Sequence, residues 1–338
     1  MKIIALSEAF NLLEDFAKLP GDVRKDPYRT GLLPPDVWKG FVMMQTSFPR
    51  EFWVAQSDDG RTIARIGASV SPVLSSEGAI GFFETNLADK EGKAAAKTLL
   101  STAEAWLKSK GVTKANGPMN FNTWFPYRFR VGEPEERFTW EPENPPEYVA
   151  IWEAAGYSVL ENYHSQGHEG LGAFASRLEP SYEKANDAGF VFRPFESARV
   201  LEKEVPILYD ISMEGFRENF MFEPIPYQAF QALYVPIAGK LDLGLSYVAS
   251  HPDHGNVGFF FAFQDKDYVV FKTVAVKYVA RGKGVSNAMM YLGARKAQDR
   301  GLSKLITAMV KSGAQSESYG KKATTLWENK YVLLSKAI

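Results

Sequence analysis

The chain has 338 residues, 45% hydrophobic and 23% charged, with 39 Lys and Arg against 40 Asp and Glu. This is the composition of a globular protein longer than one economical core, so two domains are expected, and the near-zero charge excludes bulk attraction to nucleic acid or anionic membrane. Cysteine is absent, which removes disulfides, thiolate metal sites and cysteine nucleophiles together and suits a reducing, cytoplasmic setting.

In chain order, a short strand is expected over 2–6 and a helix over 7–19. Acids at Glu8, Glu14 and Asp15 mark this start as an amphipathic part of the fold and not a leader. A loop-rich stretch with Pro20, Pro27, Pro34 and Pro35 follows. From Phe52, two extended apolar segments flank Asp58-Asp59-Gly60, a hairpin signal, and a further strand spans 79–84. Ala95, Leu99, Leu100, Ala103, Trp106 and Leu107 recur at helical spacing within 90–110, and Gly111 stops that helix. A strand over 112–119, a proline- and glutamate-rich excursion over 125–146, a helix over 147–155 and a strand over 157–163 complete the first half.

The second half begins with a connecting helix near 171–186, interrupted or restarted at Pro180. Then come a strand (190–195), a helix (201–218), an aromatic turn from Phe220 to Pro224, a helix (227–233) and strands over 241–249, 256–263 and 268–276. A helix over 286–300 ends at Gly301, before a strand (304–309), a short helix (316–323) and a last strand (330–335). Both halves repeat one element order at a period of about 190 residues, which is domain duplication and not a repeat array. No uninterrupted apolar run approaches the ~18 residues of a membrane span.

The most informative stretch runs from Phe271 to Gly301. An apolar strand feeds a helix through Ala280-Arg281-Gly282-Lys283-Gly284, so the first helical N–H groups, which have no intrahelical partner, point outward with the positive end of the helix dipole behind them. Gly282 and Gly284 allow left-handed backbone angles and close approach, while Arg281 and Lys283 add charge. A phosphate or pyrophosphate is the expected guest. Gly170-Leu171-Gly172-Ala173-Phe174-Ala175 fits a dinucleotide-binding spacing, but the polar residues 164–169 precede it where a buried strand is required. His164 and His168 have the spacing of a helical metal pair in a strand-like context, and His251 to His254 read as a hairpin turn, so no metal is expected.

Arg281-Gly282-Lys283-Gly284-Val285-Ser286 resembles the Arg/Gln-x-x-Gly-x-Gly/Ala signature of the GNAT acetyltransferase superfamily, which holds the pyrophosphate of acyl-CoA; Ser286 departs from the usual Gly or Ala. Ile306, Ala308, Ser312, Tyr319 and Lys321 stand at the spacings of a second family motif, with Ser312 where Asn is usual. The first half, with Gly117-Pro118-Met119-Asn120, is similar to the amino-terminal lobe of certain bacterial tandem-GNAT proteins without assigned substrates.

The resemblance implies an α/β fold of two GNAT-like acyl-CoA N-acyltransferase lobes, each a mixed, mostly antiparallel sheet flanked by helices. Residues 1–170 would form a lobe without a cofactor motif, 171–188 a connecting helix, and 189–338 the lobe with the acyl-CoA site. It implies acetyl-CoA or another acyl-CoA held by Val274, Val276, Arg281, Gly282, Lys283, Gly284, Val285 and Ser286, with glutamate at position 284 expected to block it. Tyr319 would protonate the departing thiolate, and a backbone N–H near Val274 to Val276 would polarise the thioester carbonyl. The acceptor would be a small-molecule amine, with no nucleic-acid or membrane partner, and the chain would be a monomer or homodimer. Glu218, Glu223 and Asp265 are candidates for the base, and Phe216, Phe220, Phe222 and Tyr227 for an acceptor wall. The turn from Asn86 to Gly92 carries acids and no glycine pair, so one cofactor site per chain is expected. A non-catalytic acyl-CoA sensor and an aminoacyl-tRNA-dependent transferase stay open as alternatives, the latter disfavoured by the lack of a broad basic stretch.

Overall fold

The computed structural model describes residues 1–24, 33–195, 198–238, 242–314, 317 and 323–338, with backbone alone at 198–203 and 236–238. It is a mixed α/β structure that divides into two compact units. The first comprises Met1–Asn162 with Lys330–Ile338, and the second Tyr163–Asn329. Residues 330–338, assigned by sequence order to the second lobe, therefore belong to the first unit.

The first unit contains β1 (Lys2–Ala5), α1 (Leu13–Val23), α2 (Pro35–Met43), β2 (Arg50–Gln56), β3 (Thr62–Val70), β4 (Glu77–Thr85), α3 (Gly92–Ser109), β5 (Lys114–Gly117), β6 (Phe129–Val131), α4 (Glu147–Ala154) and the start of β7 (Ser158–Glu169). Strands β1 to β4 are antiparallel neighbours in sequence order and β4 pairs β5 in parallel. β5 is closed by residues 334–337 of the last strand, running antiparallel. The amphipathic reading of α3 holds for Ala95, Leu99, Leu100, Ala103 and Leu107, which with Ala96 are fully buried against β3 and β4, whereas Trp106 is only partly buried. Gly111 and Gly156, both at positive φ, stand just past α3 and α4 as expected of helix stops.

Three first-unit expectations change. α1 starts at Leu13 behind a 3-10 turn, because Ala9 takes a non-helical conformation. The stretch taken as loop contains α2, since Pro35 occupies its first turn, where a missing N–H costs nothing. The excursion over 125–146 contributes β6, paired with Lys330–Val332.

The second unit continues with the rest of β7, α5 (Leu171–Asp187), β8 (Val191–Pro194), α6 (Ala198–Gly215), α7 (Tyr227–Ala238), β9 (Tyr247–His251), β10 (Gly255–Asp265), β11 (Tyr268–Val276), α8 (Val285–Asp299), β12 (Lys304–Lys311) and the start of β13 (Thr324–Ala337). Its sheet order is β7-β12-β11-β10-β9-β8, with only β11 and β12 parallel. α5 and α8 pack along one another over a core that includes Phe174, Phe260, Phe271, Val285 and Met289.

α5 passes uninterrupted through Pro180. The helix keeps its course because α8 grips it around the proline: Tyr291 donates to Glu179 Oε1 at 2.8 Å and Asn287 Nδ2 to Ser181 Oγ at 3.2 Å. β7 also extends beyond its expected end, through Glu169. Its polar residues are buried by hydrogen bonds to β12: Met309 N–H donates to Ser165 Oγ at 2.8 Å and the His168 ring meets Thr307 Oγ1 at 3.2 Å. The expected helix at 316–323 falls almost wholly outside the described residues.

Candidate functional site

β11 pairs with β10 along its whole length but with β12 only from Tyr268 to Phe271, opposite Lys304 to Thr307. Beyond Phe271 the two parallel strands separate. Lys277 N–H donates to Val257 O at 2.8 Å, so the period-two alternation of a strand turns the N–H and C=O of Val276 and Val274 the other way, toward the gap left by β12. The side chains of both valines pack on the core below.

The opened edge runs directly into the glycine turn. Gly282 (φ 73) and Gly284 (φ 83) both take left-handed angles, which a side chain adopts only with strain. The first intrahelical bond of α8 is Ala288 N–H to Gly284 O at 2.8 Å, so the N–H groups of Val285, Ser286 and Asn287, with those of Gly282 and Gly284, have no hydrogen-bond acceptor among the described residues. Val285 is buried, whereas Arg281, Gly282 and Lys283 are exposed.

Two helices hold this turn in place. α6 presents Asp210 and Glu214 at four-residue spacing, hence on one face, and Glu218 follows in the turn just past its end. Asp210 pairs with Lys277, Glu214 Oε1 accepts from Tyr278 N–H at 2.8 Å, and Glu218 pairs with Arg281. Arg281 also lies 4.1 Å from the Tyr278 ring centre and donates to Gly215 O at 3.2 Å, so much of its charge is spent within the fold. The Arg281 guanidinium in turn holds the Glu218 carboxyl below the usual carboxylate range. From the other side, a Cβ on Gly284 would stand 2.7 Å from Ser181 O of α5. Glutamate at 284 would therefore break the helix packing whether or not a ligand binds, and Ser286, half-buried in the first turn, is the cleaner place to add a carboxylate.

α5 supplies a cation that sequence order hid. Lys184, 98 positions from its partner, donates to Gly282 O at 3.1 Å. Together with Lys283 it puts two ammonium groups at the turn.

The corresponding place in the first unit is closed by the chain itself. There β4 pairs β5 only from Glu77 to Ala79, but Met119 N–H then donates to Ile80 O at 2.8 Å and Asn120 Oδ1 accepts from Phe82 N–H at 2.6 Å. The turn leading to α3 is capped internally: Asn86 Oδ1 accepts from Ala88 N–H at 3.1 Å and Asp89 Oδ1 from Glu91 N–H at 3.0 Å.

This arrangement of strands and helices is shared with known structures. A tandem GNAT protein from the clavulanic acid biosynthesis pathway, solved without AcCoA, superposes with a TM-score of 0.56 at 9% identity, covering 99% of this chain and 98% of that one. The chain has the GNAT fold. A GCN5-related N-acetyltransferase from Kribbella flavida (11% identity, 99% of this chain and 72% of that one) and a probable N-acyltransferase from Enterococcus faecalis V583 (7%, 100% and 73%) also give TM-scores of 0.56. No protein-family model and no curated protein matches the sequence.

Several sequence candidates lie away from the GNAT strand gap. Asp265 ends β10, beside the start of β11 and roughly 26 Å of strand from Val276, so it lies at the far end of the strand from the glycine turn. Residues 170–175 do follow a strand, contrary to the sequence expectation, and Gly170 (φ 86) starts α5. β7 is antiparallel to β12, however, and a dinucleotide fold needs a parallel βαβ unit. The cavity of about 360 Å³ there is bordered by the Glu169 carboxylate, which opposes a pyrophosphate. Tyr319 and Lys321 lie outside the described residues.

Among the described residues no histidine or acid cluster could hold a metal. His168 is instead a buried strand residue, its pKa lowered to about 4 chiefly by burial, with His164 and Arg177 adding repulsion. Its folded-state value lies below the unfolded ~6.5, so the stability it contributes is complete above that pH and is lost as pH falls toward 4. Urea midpoints of the second unit should fall over this window by the equivalent of roughly 3 kcal/mol, and His168→Gln should flatten that slope. An unchanged slope in the variant would assign the loss to other groups.

Proposed function

We propose that the second unit is an N-acyltransferase site, taking acetyl-CoA or another acyl-CoA as donor and a small-molecule amine as acceptor. The observation that carries it is the unpaired edge of Val274 and Val276 running into five free N–H groups at the Gly282–Asn287 turn. An amide-bearing pantetheine arm can add to that edge as an extra strand would, while the turn takes the pyrophosphate. In the transfer, the amine nitrogen bonds to the thioester carbon and the carbon–sulfur bond breaks. A strand N–H from Val274 or Val276 stabilises the carbonyl oxygen, Tyr319 gives its proton to the thiolate, and the proton shed by the acylated nitrogen passes to solvent, which restores the phenol.

Phe216, Phe220, Phe222 and Tyr227 are half-buried beside α6 and α7 and suit an acceptor wall. The first unit, its gap filled by Met119 and Asn120, takes no donor. Residues 171–188, expected as a connector, lie within the second unit as α5 and the residue that caps it. We place the reaction in the cytoplasm, and no described helix is long and apolar enough to cross a membrane.

Acetyl-CoA at about 100 times its Kd should raise the melting temperature by about 5–10 °C. No shift at saturation with any acyl-CoA would overturn the proposal. One observation favours a second reading, binding without turnover: the carboxylate nearest the turn, Glu218, is engaged by Arg281 and so is a poor base for an ammonium. Thiol release across a panel of amines separates the two.

A further inference from the structure

The β9–β10 hairpin carries two imidazoles that the donor site as described does not use. β10 begins at Gly255 and meets Val276 through Gly258, so the hairpin tip lies at the same end of the sheet as the glycine turn. At that tip the rings of His251 and His254 stack, with centres 4.9 Å apart and planes 24° from parallel. His251 is fixed at both nitrogens: Nδ1 accepts from Asp253 N–H at 3.2 Å, which leaves the proton on Nε2 to donate to Ala188 O at 3.2 Å. Its other side meets Phe190, centres 5.0 Å apart, and Lys283 of the turn lies 5.8 Å from the Phe190 ring centre. A ladder of rings thus leads from the glycine turn to His254. His254 is exposed, and its outer face has no ring partner among the described residues.

A rigid, outward-facing aromatic platform beside two lysines, Lys283 and Lys184, suits a planar base joined to phosphate. Bases stack on such platforms through their π-faces, with little demand on hydrogen-bonding pattern. Taking the glycine turn as the acyl-CoA pyrophosphate site, on which this step rests, we infer that the purine of the donor stacks on the outer face of His254. The hairpin would then select the complete nucleotide-bearing donor over its truncated form.

The test compares two probes by calorimetry: acetyl-CoA, and acetyl-4′-phosphopantetheine, which lacks the nucleotide. His254→Ala should weaken acetyl-CoA about tenfold, the loss expected of one base–aromatic contact, and leave acetyl-4′-phosphopantetheine unchanged. His254→Phe, which keeps a ring, should restore most of the acetyl-CoA affinity. Equal losses for both probes, no loss for either, or failure of phenylalanine to rescue would overturn the assignment. Binding of neither probe by the unsubstituted chain would remove the donor site itself, a failure distinct from that of His254 alone.

Discussion

Glu84→Ala should destabilise the first unit by about 3–5 kcal/mol, the cost of stranding buried charge. Glu84 is fully buried on β4, directly across from Arg65 on β3. The Arg24 guanidinium engages both of its oxygens, with Nε 3.1 Å from Oε1, and the Tyr148 hydroxyl donates to the same carboxylate. Arg65 is 1% exposed; it lies 4.3 Å from the Trp38 ring centre and donates to Phe16 O at 2.7 Å. Without the carboxylate, Arg65 among the Phe16 and Trp38 rings and Arg24 beside it both lose their common counter-ion. Chemical denaturation at fixed pH should show the loss, and the double variant Glu84→Leu/Arg24→Met should recover part of it, because it leaves one stranded guanidinium, Arg65, in place of two. A loss below about 1 kcal/mol would show that water reaches the cluster and relieves it.

What the sequence showed and what it hid follow from how local each determinant is. α3 and the Gly282–Gly284 turn were legible because their causes lie within a few residues: apolar spacing in one, two glycines between a strand and a helix in the other. β7 was cut short because Ser165 and His168 are buried by hydrogen bonds from β12, which hydropathy cannot register. α2 was missed because Pro34 and Pro35 suggest loop equally well, and only the helix that follows distinguishes a first-turn proline. The return of residues 330–338 to the first unit depends on pairing with β5 more than 200 positions earlier, and the Lys184 contact on α5 packing against α8. The Arg65–Glu84 pair sits on adjacent strands yet read only as two polar residues in apolar runs.

Tyr319→Phe should lower kcat for acyl transfer by about 10²–10⁴-fold while leaving the Kd for acetyl-CoA within a factor of two, the range general acid catalysis contributes. Removing one phenol oxygen takes away the proton for the departing thiolate and little else. Poorer thiol leaving groups should suffer most, so an acyl donor with a more acidic thiol should regain part of the lost rate. An unchanged kcat, with the substitution confirmed and the donor bound, would assign that proton to another group. An equal fall in affinity would make Tyr319 a binding residue instead.

Calorimetric titration of acetyl-CoA into the full chain goes to the central assertion, that one unit opens its strand edge to the donor and the other fills its own. A single site per chain is predicted, with binding lost in Ser286→Glu, where a carboxylate would face the pyrophosphate. Two sites per chain, or full affinity in Ser286→Glu, would contradict it.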